Sequence, residues 1–279
     1  MIIDGKKLAN KIATGLKKEV AKEKEKGNSF GLGVILVKGN PASEIYVSKK
    51  RERAEDIGIG FYLTEFENPA KEILVGKILE WNKDSKINGT IVQLPLSEQL
   101  NPYEIINYID PKKDVDGLTD ENQKSLENDE SDLYPATPLG ILEILKEYDV
   151  DVKNKKVVIM GRSKLVGKPI SLLLKNKGAS VEVCHSQTGN TAEVCRDADI
   201  LISAVGKPNL VTADMVKDGA VVIDVGTTRT DGVLKGDVDF ENVKNKASLI
   251  TPVPGGVGPL TVACLMKNVI KAKKMQNSD

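Results

Sequence analysis

Short, uninterrupted apolar runs alternate with amphipathic segments along this chain, and this alternation limits the fold more than any other feature. The first hundred residues contain three such runs, at Gly31–Val37, Ile59–Phe66 and Gly89–Leu94. Helices are predicted around them: one through Leu8, Ile12, Leu16 and Val20, and others at 41–56, 69–83 and 102–109. The helix at 69–83 is predicted to turn Ile73, Leu74, Ile78 and Leu79 inward. Continuous apolar strands joined by helices are typical of a mainly parallel sheet covered on both faces.

A second alternating block fills the C-terminal half. Its predicted strands are Lys156–Met160, Val181–Cys184, Ile200–Ala204, Val221–Asp224 and Ser248–Thr251. This pattern fits a Rossmann-type, doubly wound nucleotide-binding domain. Between the blocks, 118–134 is polar and aperiodic, which predicts a linker or surface loop, and Thr137-Pro138 predicts a helix N-cap and first residue. The predicted fold class is therefore α/β with two domains: 1–118, completed by a C-terminal helix at 259–279, and 136–258.

Charge and cysteine content exclude several classes of function. The 40 Lys and Arg balance 40 Asp and Glu over 279 residues, whereas nucleic-acid and anionic-membrane binders usually carry a basic excess. The three cysteines are widely spaced and His185 is the single histidine, so no metal site is predicted. No apolar leader and no membrane-spanning run is found, which predicts a cytoplasmic protein.

The segment Gly161-Arg-Ser-Lys-Leu-Val-Gly167 joins a predicted strand to a predicted helix. Such a loop lets backbone approach a phosphate at a helix N-terminus, although the spacing is not GxGxxG and a tight structural turn is the alternative. The next strand ends in Cys184-His-Ser-Gln-Thr188, without the acid that usually binds the ribose of NAD. Arg162 and nearby hydroxyls suit a 2′-phosphate, which favours NADP.

Other polar residues form a second candidate site. Ser43, Tyr46 and Lys50 share one face of the helix after Pro41, although a solvent-facing stripe gives the same spacing. Gln93 lies near the carboxyl end of a strand, where open α/β sheets build their sites. Lys113-Asp-Val-Asp-Gly117 could serve acid–base chemistry, metal binding or only a turn. The Pro- and Gly-rich stretch 251–261 forms either a rigid loop against a ligand or an elaborate turn.

Taken together and in this order, these motifs resemble one family, the bifunctional methylenetetrahydrofolate dehydrogenase/methenyltetrahydrofolate cyclohydrolases. The matching segments are Ser43–Lys50, Val92–Leu96, Lys113–Gly117, Thr137–Gly140, Gly161–Pro169, Cys184–Thr188 and Pro252–Pro259. The resemblance implies two domains with an active-site cleft between them, a homodimer formed through the nucleotide domain, and a role in supplying purine, methionine and histidine biosynthesis.

The resemblance also assigns roles to particular residues. It makes Lys50 the central catalytic residue, with Tyr46 stacked on the aminobenzoyl ring of the folate, Gln93 bonded to Lys50, and Asp116 anchoring the pterin ring. The other implied folate contacts are Ser43, Leu94, Pro95, Gly255, Gly256 and Pro259. The implied NADP contacts are Gly161, Arg162, Ser163, Ser186 and Thr227. The departures from the family pattern are Ala136, Leu260 and Thr227-Thr228.

The implied activity is NADP-dependent oxidation of 5,10-methylenetetrahydrofolate to the methenyl form, followed by its hydrolysis to 10-formyltetrahydrofolate. Hydride transfer requires positioning of the two reactants, while hydrolysis requires a proton acceptor. A lysine can accept that proton only if its pKa falls toward neutrality. Two alternatives are a dehydrogenase without the hydrolytic activity and a non-catalytic NADP-binding protein.

Overall fold

The computed structural model describes residues 1–230 and 232–277, and the chain divides into two compact units. The five-stranded unit contains Met1–Ala9 and Thr137–Thr261. The three-stranded unit contains Asn10–Ala136 and the chain from Val262 onward. The boundaries between the units fall inside helices α1, α6 and α10, whose bounds are given below. These units are defined by contacts, and the domain boundaries given above stay a prediction.

The elements follow one another in an order close to the predicted alternation. The first part of the chain holds α1 (Gly5–Glu25), β1 (Gly31–Val37), α2 (Pro41–Ile57), β2 (Gly60–Phe66), α3 (Lys71–Lys83), β3 (Gly89–Val92), α4 (Pro102–Ile106) and α5 (Asp120–Glu127). The second part holds α6 (Ala136–Glu147), β4 (Lys156–Met160), α7 (Gly167–Asn176), β5 (Ser180–Cys184), α8 (Thr191–Arg196), β6 (Ile200–Ser203), β7 (Val221–Asp224), β8 (Thr228–Thr230), β9 (Val233–Lys235), α9 (Phe240–Val243), β10 (Leu249–Ile250) and α10 (Val257–Gln276).

The sheet of the three-stranded unit is parallel, in the order β2-β1-β3. The central strand, β1, is buried at every residue because apolar clusters cover both of its faces. Val34 belongs to the cluster that includes α2 and α10, while Ile35 belongs to the cluster that includes α3. A Cβ on Gly33 would lie 2.6 Å from the Trp81 ring, so this close contact of strand and helix requires glycine.

The sheet of the five-stranded unit is also parallel, in the order β10-β7-β6-β4-β5. Strand order reverses between β4 and β6, and this reversal is the place where doubly wound sheets bind ligands at their carboxyl ends. The α/β class with a doubly wound nucleotide-binding domain is therefore confirmed. The antiparallel pair β8–β9 was not predicted, because strands of three residues are too short to show a period.

The segment 118–134 was wrongly predicted as a linker or surface loop. It contains α5, whose N-cap Thr119 accepts a hydrogen bond from the amide of Asn122. Leu126 on this helix and Leu133 beyond it are each 1% exposed. Together with Leu118, these make three buried apolar residues in a polar stretch, too few to give a visible period, so the anchoring of this segment could be seen only in the fold.

Two finer predictions about helices were also wrong. Helix α6 begins at Ala136, so Thr137 lies inside it and its hydroxyl instead contacts the hydroxyl of Thr261 at 3.0 Å. In α3, Ile73 and Leu79 are exposed, while Leu74, Ile78 and Trp81 are buried. The buried face of that helix is thus the one that carries Trp81, whose ring packs against Gly33 of β1. Within the described residues, no helix is long and apolar enough to cross a membrane.

Candidate active site

Helix α2 places three of the predicted residues on neighbouring turns. Asn40 caps the helix by accepting hydrogen bonds from the amides of Ala42 and Ser43, and Pro41 follows at the first helical position. Ser43 and Lys50 are buried on the inner face of the helix, and Tyr46 is half-buried between them. The stripe therefore faces the protein, and the alternative of a solvent-facing stripe is wrong for Ser43 and Lys50.

The Lys50 side chain meets Gln93 at the carboxyl end of β3. Lys50 Nζ donates a hydrogen bond to Gln93 Oε1 at 2.8 Å. Gln93 Nε2 in turn donates to the carbonyl of Leu94 at 2.7 Å, and that carbonyl also accepts from the Ser43 hydroxyl at 3.2 Å. The amide nitrogen of Gln93 is thus committed to a backbone acceptor, which fixes its oxygen toward Lys50. The next peptide bond, Leu94–Pro95, is cis.

Burial dominates the electrostatics at Lys50. The side chain is 8% exposed and forms no ion pair among the described residues. Removal from water disfavours the ammonium form and lowers the pKa of Lys50, while the negative charge of Asp116 acts in the opposite direction. A lysine in this setting can act as an amine base nearer to neutral pH than an exposed lysine.

The two carboxylates of Lys113–Gly117 serve different purposes. Asp114 Oδ2 accepts hydrogen bonds from the amide and hydroxyl of Thr119, both at 2.8 Å, and from Asn122 Nδ2 at 2.9 Å. Lys113 Nζ donates to the carbonyls of Trp81 and Asp84. The side chains of Asp114 and Lys113 thus build the turn, as the turn interpretation predicts. Asp116 is half-buried and is the carboxylate whose charge acts on Lys50.

The glycine-rich loop lies where strand order reverses in the five-stranded sheet. Gly161 has φ +108°, and a Cβ there would lie 2.5 Å from the carbonyl oxygen of Ala204. A Cβ on Gly167 would lie 2.1 Å from the carbonyl oxygen of Gly161. The Ser163 hydroxyl accepts the amide of Val166 at 3.2 Å, close to the start of α7. This compact loop ends at the start of α7, the position at which Gly-rich loops present backbone amides to a phosphate.

Arg162 and Ser186 fit the 2′-phosphate of NADP by their chemistry. They follow β4 and β5, which pair through Met160 and Cys184, so both leave the sheet at the same edge. Both are exposed, and Arg162 forms no ion pair with any described residue. No carboxylate stands within four residues after Cys184. A guanidinium and a hydroxyl without a competing acid suit a phosphate monoester better than a ribose hydroxyl.

The Pro- and Gly-rich stretch is a rigid loop within the five-stranded unit. The Val253–Pro254 peptide is cis, and Gly255 has φ +107°. A Cβ on Gly5 would lie 1.9 Å from the carbonyl oxygen of Gly256, so α1 begins in direct contact with this loop. Pro259 lies in the first turn of α10. The structure thus shows a closely packed loop, and its contact with a ligand stays a prediction.

The predicted residues fall into two groups. Within the three-stranded unit lie Ser43, Tyr46, Lys50, Gln93, Leu94, Pro95 and Asp116. Within the five-stranded unit lie Gly161, Arg162, Ser163, Ser186, Thr227, Gly255, Gly256 and Pro259. His185 serves a local turn, since its Nδ1 accepts the amide of Gln187 at 3.3 Å. In the part of the chain that the structure describes, no three His, Cys, Asp or Glu side chains are arranged to hold a metal ion.

Sequence reasoning missed two buried carboxylates, Asp224 and Asp237, which are 3% and 0% exposed. Asp224 was seen only as the last residue of a strand. Both lie beside glycines, in Asp-Val-Gly226 and Gly236-Asp, and this pairing of acid with glycine is the signal that could have identified them.

Comparison with known proteins gives a consistent result over the whole chain. The model for the tetrahydrofolate dehydrogenase/cyclohydrolase catalytic domain matches residues 3–116, and the model for the NAD(P)-binding domain of the same family matches residues 135–277. A bifunctional protein FolD from Nautilia profundicola is 50% identical over 275 residues, covering 98% of this chain and 97% of that protein.

Two solved structures are similar in backbone as well as in sequence. The bifunctional methylenetetrahydrofolate dehydrogenase/cyclohydrolase FolD of Campylobacter jejuni has a TM-score of 0.97 at 42% identity, with 99% of each chain covered. The Trypanosoma brucei enzyme, solved with NADP and an inhibitor, has a TM-score of 0.96 at 35% identity, covering 100% of this chain and 99% of that one.

Proposed function

The chain belongs to the tetrahydrofolate dehydrogenase/cyclohydrolase family, and we propose that its hydrolytic chemistry depends on the buried pair of Lys50 and Gln93. It is a bifunctional enzyme that uses NADP to oxidise 5,10-methylenetetrahydrofolate to 5,10-methenyltetrahydrofolate, and it hydrolyses that product to 10-formyltetrahydrofolate. The observation that carries the assignment to Lys50 is the 2.8 Å hydrogen bond that holds its buried amine.

In the oxidation, the residues of this chain bind and orient the reactants. Bound NADP would supply the hydride acceptor for the one-carbon bridge of the folate. Arg162, Ser163 and Ser186 hold phosphate, and Gly161 allows the backbone to approach it. Thr227 would contact the nicotinamide side. No protein acid or base is needed for hydride transfer, so alignment of the two ligands is the main contribution of the protein.

In the hydrolysis, Lys50 handles the proton. The methenyl carbon is attacked by water, whose proton passes to the neutral amine of Lys50. The resulting ammonium then supplies a proton to the folate nitrogen that leaves when the ring opens, and the remaining hydroxyl proton is released to solvent as the formyl carbonyl forms. Gln93 Oε1 accepts a hydrogen bond from Nζ in both protonation states, because both carry an N–H. Gln93 therefore keeps the nitrogen in place throughout the reaction.

The folate contacts in this proposal include an aromatic ring and a carboxylate. Tyr46 offers its half-buried ring to the aminobenzoyl group, and Asp116 accepts hydrogen bonds from the pterin. The remaining contacts in this proposal are Ser43, Leu94, Pro95, Gly255, Gly256 and Pro259. The same proposal includes a homodimer formed through the nucleotide domain, a cytoplasmic location and a supply of one-carbon units to purine, methionine and histidine biosynthesis.

The test is the variant Lys50→Met, assayed separately for each activity. Hydrolysis of supplied methenyltetrahydrofolate should fall at least about a hundredfold, the usual contribution of a general base. Lys38→Met, which removes an exposed lysine of the same unit, should retain wild-type rates. Normal hydrolysis by a folded Lys50→Met variant would show that another group carries the proton. NADPH formation from methylenetetrahydrofolate tests the dehydrogenase independently.

A further inference from the structure

Two carboxylates are buried at the carboxyl edge of the five-stranded sheet without a cation to balance them. Asp224 is the last residue of β7, and Asp237 follows β9 by two residues. Neither forms an ion pair with a Lys or Arg among the described residues, although they are only 3% and 0% exposed. Burial of an unpaired charge is strongly unfavourable unless hydrogen bonds compensate it, so the hydrogen bonds of these two groups identify their purpose.

Asp237 fixes the loop that follows β6. Its Oδ2 accepts hydrogen bonds from the Ser203 hydroxyl at 2.8 Å and from the amide of Val205 at 2.7 Å. Its Oδ1 accepts the amide of Lys207 at 2.8 Å. The loop residues themselves are exposed. A buried carboxylate therefore fixes the start of an exposed segment through three hydrogen bonds.

Asp224 fixes the turn that follows β7 and also holds Asp237 in position. Its Oδ1 accepts the amides of Gly226 and Asp237, both at 3.0 Å, and its Oδ2 accepts the amide of Val238 at 2.9 Å. The two loops are then joined directly, because the Thr228 hydroxyl donates to the carbonyl of Gly206 at 3.0 Å. The carboxylates and this hydrogen bond make one connected network.

The backbone is shaped closely around both carboxylates. A Cβ on Gly226 would lie 2.0 Å from Asp237 Oδ1, and a Cβ on Gly236 would lie 2.0 Å from Asp224 Oδ2. Neither position has space for any side chain while the acids stay in place. The two glycines and the two acids therefore depend on one another, because the carboxylates occupy the space that side chains at Gly226 and Gly236 would need.

This network lies beside the proposed dinucleotide site. Strand β6 neighbours β4, whose end carries Gly161, and Gly161 packs against Ala204 at the start of the loop held by Asp237. Thr227, the proposed nicotinamide-side contact, directly follows Gly226. We propose that Asp224 and Asp237 are positioning residues, which hold the loops after β6 and β7 in the conformation that receives the nicotinamide half of NADP. The inference rests on the proposed function, since it takes NADP as the ligand of this edge.

The test measures the binding of NADP and the hydrolytic activity in separate experiments. Asp237→Asn and Asp224→Asn each turn an acceptor into a donor that opposes a backbone amide. Each should raise the Kd for NADP, measured by isothermal titration calorimetry, by about tenfold or more, the effect of one lost charge-assisted hydrogen bond. Hydrolysis of supplied methenyltetrahydrofolate without NADP should be unchanged. Asp199→Asn is the matched control, because it alters a carboxylate at the opposite end of β6 and should leave the Kd unchanged.

Ser203→Ala provides a second test that does not alter a charge. It removes one hydrogen bond to Asp237 from a fully buried position and should weaken NADP binding by a smaller factor. If Asp237→Asn and Asp224→Asn do not fold, Ser203→Ala decides the question. An unchanged Kd in the folded variants would overturn the inference, as would an equal loss of hydrolysis and of NADP binding. Failure of the proposed function is distinct, because the wild-type protein would then form no NADPH from methylenetetrahydrofolate.

Discussion

Gln93→Leu and Gln93→Glu should move the pH dependence of the hydrolysis in opposite directions. The hydrolysis requires the neutral amine of Lys50, so the rate rises as the pH passes the pKa of this group. Burial already lowers that pKa. Leucine removes the acceptor 2.8 Å from Nζ and further disfavours the ammonium form, which lowers the pKa. Glutamate places a negative charge at the same position, which favours the ammonium form and raises it.

The expected magnitudes follow from the single hydrogen bond between Lys50 and Gln93. A hydrogen bond to a charged group contributes about 1.5–3 kcal/mol, and about 1.4 kcal/mol corresponds to one pH unit. The bond to the neutral amine, which contributes about 0.5–1.5 kcal/mol, is lost as well, so only the difference counts and the rising limb for Gln93→Leu should move down by about one pH unit. An opposite charge within hydrogen-bonding distance shifts a pKa by about 1–3 units, so the limb for Gln93→Glu should move up by that amount. In both variants the Leu94 carbonyl should still accept the hydrogen bond from the Ser43 hydroxyl.

The assay is kcat/KM for supplied methenyltetrahydrofolate across the pH range, after subtraction of the uncatalysed hydrolysis. This ratio reports the pKa of the free enzyme. Gln99→Leu, which changes an exposed glutamine of the same unit, should retain the wild-type profile. Shifts in the same direction for both Gln93 variants would refute the reasoning. So would a loss of rate with no shift at all, because Lys50 would then not be the titrating base.

Three further outcomes are expected. Arg162→Gln should raise the KM for NADP by about ten- to a hundredfold in dehydrogenase assays while that for NAD stays unchanged, because one charge-assisted contact to phosphate is lost. Burial raises the pKa of Asp224 to about 6 from an ordinary 3.8, so between these pH values the folded state keeps a proton that the unfolded state has lost. The free energy of unfolding, measured with urea, should therefore fall by about 3 kcal/mol from about pH 4 to 6. Asp224→Asn should remove this slope. Burial also raises the pKa of Cys195 to about 12, so iodoacetamide should label it slowly at pH 8 until the protein is unfolded.

The regular parts of the fold could be predicted because their signals are local. A strand such as β1 shows its burial in seven consecutive apolar or glycine residues, and α2 shows its start in Asn40-Pro41 and its end in Gly58. The spacing of Tyr46 and Lys50 places them on one helix face without knowledge of the rest of the chain. These residues follow rules that act over four or five positions.

The remaining features depend on partners that are distant in sequence. Helix α5 is anchored by buried residues such as Leu126, and the mostly polar sequence around this residue does not reveal its burial. The purpose of Asp237 depends on amides 30 and 32 residues earlier in the chain. Gln93 could be placed at a strand end from sequence, but the orientation of its amide depends on the Leu94 carbonyl. Pairings of this kind are decided by tertiary structure, so a local pattern cannot contain them.

The chain passes between the two contact units inside helices, and this has a consequence for recombination between relatives. The crossings lie between Ala9 and Asn10, between Ala136 and Thr137, and between Thr261 and Val262. A chimera that exchanges a whole unit with a relative therefore needs three crossovers, and each would join two parental sequences within one helix. An exchange within residues 117–134, which neither family model matches, needs only one crossover. It leaves residues 1–9 and the end of α10 with the wrong parent. A graft that is meant to change only the cofactor preference should be smaller than either exchange, and it should be confined to the short segments after β4 and β5.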